Sequence, residues 1–65
     1  MATFVEFYQN LRVKDMEPVR IEVEKMVSHN TFLNWKNGTF EPAGQWWARI
    51  NAIAEKYGYP KPYTV

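Results

Sequence analysis

Sixty-five residues leave room for one domain with one core, since domains rarely fall below about 50 residues. Cysteine is absent, which excludes a disulfide scaffold, thiolate metal centres and cysteine nucleophiles; the core must come from apolar side chains, 46% of the chain being hydrophobic and 17% aromatic. The net charge of +1 selects no partner, but it divides unevenly: up to Met26 there are four basic residues (Arg12, Lys14, Arg20, Lys25) and five acidic ones, and from Val27 onward four basic (Lys36, Arg49, Lys56, Lys61) and two acidic.

Pro18, Asn37-Gly38, Pro42, Gly58, Pro60 and Pro62 punctuate the chain and leave four segments of helical length. The first helix is expected over residues 4–13, with Thr3 and Glu6 spaced as a capping box and Phe4, Phe7, Tyr8 and Leu11 on one face. The second is expected to open at Pro18, where a missing amide hydrogen costs nothing in a first turn, with Val19, Val23 and Met26 as its stripe. Ile21 lies off that stripe.

A third helix is expected over 29–37, capped by Ser28 or Asn30, closed by Gly38, and facing inward through Phe32 and Trp35. The fourth is expected from Pro42 to Tyr57, stopped by Gly58, with Trp46, Ile50, Ile53 and Tyr57 toward the core. Residues 59–65 carry two prolines and cannot be helical, so they read as an extended or loosely packed tail after a domain of residues 1–58. Trp47 is expected to pack under that tail, through Tyr59 or Tyr63, rather than against a second copy. The expectation is thus an all-α, compact four-helix domain.

The beginning of the chain lacks a basic flank with a long apolar run, and no stretch approaches the roughly 20 apolar residues of a membrane span, so a cytoplasmic protein that does not engage membranes is expected. Catalysis finds little support. His29 is the only histidine, and it has no carboxylate beside it in the sequence. Glu17, Glu22 and Glu24 alternate with Arg20 and Lys25 as a solvated face does, and no metal-ligand spacing or glycine-rich phosphate loop occurs. No enzyme activity, cofactor, metal or small-molecule substrate is expected.

One stretch is specific: Val27-Ser28-His29-Asn30-Thr31-Phe32-Leu33-Asn34-Trp35-Lys36-Asn37-Gly38, followed by Pro42. With Val27, Ser28, Thr31, Phe32, Trp35, Gly38 and Pro42 as the matching positions, it resembles the recognition-helix half of the helix-turn-helix domains of the phage repressor and Cro class. Ile53-Ala54-Glu55-Lys56-Tyr57-Gly58 looks like the closing helix of the same lambda-repressor-like fold, and these segments with the helix between them cover about half the chain. Met26 stands where the family usually has glycine. A second resemblance, to excisionase-type winged modules, rests on Gly38-Thr39-Phe40-Glu41-Pro42 and requires a wing strand.

The first resemblance implies a small sequence-specific transcriptional regulator of bacterial or phage type that places the helix at about 29–37 in the major groove of double-stranded DNA. Ser28, His29, Asn30, Asn34, Lys36 and Asn37 are the expected DNA-contacting residues, with Thr31 and Thr39 on phosphates. The residue chemistry agrees: Asn can bond adenine through two atoms, Lys36 and the backbone near Thr39 can meet phosphate, and Phe32 and Trp35 can anchor the helix. A charge of +1 gives weak counterion release, which favours a homodimer or a partner protein on the DNA. The competing reading is a protein interaction module that keeps the scaffold and presents Leu33, Ile21 and Trp47.

Overall fold

A computed structural model describes residues 4–64. Among these residues the chain forms α1 (Phe4–Gln9), α2 (Val13–Glu24), α3 (His29–Asn37) and α4 (Gly44–Lys56), with no strand. The protein is a small all-α domain. A wing strand has no counterpart among the described residues, which removes the excisionase-type alternative.

The first helix is shorter than expected. After Gln9 the ladder tightens, with the Leu11 amide donating to the Tyr8 carbonyl at 3.2 Å. The next amide, that of Arg12, donates to the Tyr59 hydroxyl at 2.9 Å. An acceptor from the far end of the chain thus takes the amide that would continue α1, and Arg12 turns extended (φ −63, ψ 147). Thr3, the expected cap, lies outside the described residues.

Pro18 does not open α2; it lies inside the helix, at its sixth residue. The start moves back to Val13 because Arg12 is already extended and its carbonyl accepts from the Asp15 amide at 2.8 Å, which begins a helical turn. Pro18 cannot donate to the carbonyl of Lys14, but Lys14 is exposed and water can serve that acceptor. Val19 and Val23 are fully buried, as the stripe requires, whereas Met26 falls past the helix end and is half-buried.

Helix α3 matches its expected bounds, and its ends explain why. The Ser28 hydroxyl accepts from the Thr31 amide at 3.2 Å. At the other end Gly38 is left-handed (φ +79). There its amide donates to the Trp35 carbonyl at 3.2 Å, and the Thr39 amide to the Asn34 carbonyl at 2.9 Å, the pair of bonds that closes a helix around a left-handed residue. A Cβ on Gly38 would stand 3.2 Å from Val5 Cγ2, a tight contact with α1 in addition to the left-handed backbone. Helix α4 begins two residues after Pro42, with Ala43 as its cap residue, since Pro42 belongs to the extended approach.

Helices α1 and α2 both pack on α3, and α2 also packs on α4. Phe4 is the hub: its ring lies 5.9 Å from Phe7, 6.2 Å edge-on to Phe32 and 5.5 Å from Trp35. Phe4, Phe32, Ile50, Val19 and Val23 are wholly enclosed. Such ring pairs add about 0.5–1.5 kcal/mol each beyond their buried area, which suits a domain too small for a large aliphatic core. No helix among the described residues is long and apolar enough to cross a membrane.

The segment after Gly58 is tied down at both ends. Tyr59 donates its hydroxyl to Asp15 at 2.6 Å, and the Arg12 guanidinium lies 5.0 Å from the Tyr59 ring. Tyr63 is buried, stacked on Trp47 at 5.2 Å and 5°. Of the two tyrosines expected over Trp47, Tyr63 is the one that covers it, and the tail is packed rather than loose.

Candidate nucleic-acid interface

Helix α3 is pinned from below. Phe32 and Trp35 are 1% and 4% exposed, and Trp35 also meets Trp46 of α4 at 6.3 Å. At 3.6 residues per turn, this fixes Asn30, Asn34 and Asn37 on the opposite, outer side, with His29 and Lys36 together along one flank. The helix contains no carboxylate. Asn30, Lys36, Asn37 and Thr39 are exposed, and Asn34 is half-buried. Lys36 lies in the last turn and has no ion-pair partner among the described residues.

Three of the expected contact residues already have local work. Ser28 is the helix cap, and its hydroxyl lies 3.0 Å from that of Thr31, so the two hydroxyls are partners of one another. Thr31 is half-buried. His29 differs from expectation: a carboxylate does stand beside it, its Nδ1 lying 2.8 Å from Glu24 Oε2. The reversal through the α2–α3 turn brings Glu24 back over the first residue of α3, a placement that helical spacing does not reveal.

Glu24, expected on a solvated face with Glu17 and Glu22, is instead half-buried at the α3 entry. Its Oε2 also accepts from Arg20 at 3.1 Å, and Arg20 bonds Glu17 as well. The His29 hydrogen bond and then Arg20 hold the Glu24 carboxyl below its usual range, against the opposing effect of burial. Arg20 four residues before Glu24 was visible as a helical pair. The His29 contact, across a turn, had no such signal. The consequence is electrostatic: a negative charge sits at the α3 entry, with the Arg20 guanidinium and the His29 imidazole both bonded to it.

The apolar surface of the competing reading is largely absent. Leu33 is half-buried against the core instead of standing out on α3, and Trp47 is half-buried with Tyr63 stacked on its ring. Ile21 remains, 47% exposed. Among the described residues no group of three or more His, Cys, Asp or Glu is arranged to hold a metal ion.

The geometry presents a rigid, polar, carboxylate-free helix face able to offer amide donors and acceptors in one direction and a cation at its flank. Comparison of the chain with known protein families, with curated proteins and with solved structures finds no match.

Proposed function

We propose that the protein is a small sequence-specific DNA-binding regulator in which α2 and α3 act as a helix-turn-helix and α3 enters the major groove. The observation that carries this reading is the outer face of α3. Asn30, Asn34 and Asn37 stand opposite the buried Phe32 and Trp35, on a helix without a carboxylate. A carboxamide matches the N6 and N7 edge of adenine, so this face suits sites rich in A·T pairs. Lys36 and Thr39 then meet phosphate, and Ser28, Thr31 and His29 contribute at the helix entry in addition to their local roles.

With a net charge of +1, binding draws on few phosphate contacts, and two copies on adjacent half-sites double them. The protein-interaction alternative is weaker, because Leu33 and Trp47 are half-buried and only Ile21 of its three apolar residues is exposed.

Fluorescence anisotropy of a labelled mixed-sequence duplex, titrated with the full chain at several salt concentrations, tests the reading. The expected outcome is a Kd of about 1–100 µM that weakens as salt rises, and Lys36→Glu weakening binding on every sequence. No salt-sensitive change at about 50 µM protein would overturn it.

A further inference from the structure

We infer that the groove where the C-terminal segment crosses the start of α4 is a docking site for the arginine side chain of a partner peptide. Glu41, Pro42, Trp47, Pro62 and Tyr63 line it, together with Lys61. Its floor is the Trp47–Tyr63 stack, whose rings are 5° from parallel. The Trp47 indole cannot swing away, because its Nε1 donates to the Pro42 carbonyl at 3.0 Å. Asn51 holds the Tyr63 backbone by two further bonds. The aromatic surface is therefore preformed.

Charge selects the occupant. Glu41 is exposed and has no ion-pair partner among the described residues. Lys61, the one cation on the rim, is taken by Glu55 at 3.0 Å. Burial raises the pKa of the Tyr63 hydroxyl, and the Glu41 carboxylate raises it further, which places that negative charge within electrostatic reach of the stack. The hydroxyl itself has no hydrogen-bond partner among the described residues.

Elsewhere the chain fills such arrangements from within. Arg12 lies 5.0 Å from the Tyr59 ring and bonds Asp15, and Arg49 lies 5.7 Å from the Trp46 ring. The Arg12 site combines an aromatic ring, a carboxylate and a guanidinium. The groove at Trp47 has the first two and lacks the third. A planar guanidinium can lie on an indole while its edge donates to a carboxylate, which an ammonium does less well. A phosphate backbone would instead be repelled by Glu41, so the groove favours a cationic occupant.

The test uses the uniformly 15N-labelled full chain titrated with acetyl-Gly-Arg-Gly-amide to about 200 mM at constant ionic strength, above the Kd of tens of millimolar that one such contact supports. The isosteric but uncharged citrulline peptide is the control. The expected result is a saturable shift of the Trp47 indole N–H, weakened about threefold or more by citrulline or by Glu41→Gln. Glu41 is exposed, so the substitution leaves the fold intact. An unmoved Trp47 resonance, equal shifts with both peptides, or an unchanged response in Glu41→Gln would overturn the assignment.

Discussion

The Asn51 carboxamide and the Tyr63 peptide group bond each other twice: Asn51 Nδ2 donates to the Tyr63 carbonyl at 2.9 Å, and the Tyr63 amide donates to Asn51 Oδ1 at 3.0 Å. Both residues are buried. One side chain of α4 therefore does what a neighbouring strand would do, satisfying both backbone groups of a residue that has no secondary structure. This allows Tyr63 to stack on Trp47 and seal one side of the domain.

Replacing Asn51 by Ala is expected to strand the Tyr63 amide and carbonyl in a buried position, at a cost of about 1–3 kcal/mol for each unsatisfied group that water cannot reach. In a domain of this size each kcal/mol lowers Tm by about 4–8 °C. Thermal unfolding followed by circular dichroism measures it; an unchanged Tm would mean that the tail is not anchored through this pair.

Acid is expected to destabilise the protein through three carboxyl groups. Asp15 is held below its usual range chiefly by the Tyr59 hydroxyl, Glu22 by Lys56 and Glu24 by His29. Because their folded-state pKa values are depressed, the unfolded chain binds more protons at low pH. The stability they contribute is present above about pH 5 and is lost as pH falls below about 4. Urea midpoints measured from pH 7 down to 3 should decline over that lower range. The Asp15→Asn variant, which removes the titrating group, should show a shallower decline.

Gly38 and Gly58 are both left-handed, with φ +79 and +83, but only Gly38 faces a close neighbour. Gly58→Ala is expected to cost about 1 kcal/mol from backbone strain alone. Gly38→Ala should cost more, because its Cβ would also press on Val5 Cγ2, which must give way by a few tenths of an ångström. Chemical denaturation of the two variants reads the difference, and equal losses would show that Val5 yields freely.

Pro18 lies at an interior position of α2 where an amide would donate to the carbonyl of Lys14. Pro18→Ala restores that bond, and the gain is reduced by a more flexible unfolded chain and by lost packing of the half-buried ring. The expected net effect is a stabilisation of about 1 kcal/mol, from an interior helix penalty near 3. A drop in the urea midpoint would show that ring packing outweighs the bond.

Helix α3 was legible because all its determinants are local: Ser28 and Gly38 sit at the spacing that satisfies its free amides and carbonyls, and Phe32 and Trp35 fall one turn apart. The four-helix parse and most of the core were legible for the same reason, since apolar periodicity alone marks the face that leaves water. So was the outward placement of Asn30, Lys36 and Asn37, because a fixed inner pair dictates which residues point out.

Contacts between distant parts of the chain decided the remainder. Tyr59 ends α1 by taking the Arg12 amide 47 positions away, and that extended Arg12 moves the start of α2 back past Pro18. The Glu24–His29 pair, the Trp47–Tyr63 stack and the Asn51 clamp likewise join groups with no shared period. Hydrophobic patterning reports which residues leave water; which donor reaches which acceptor depends on where the folded chain brings its ends.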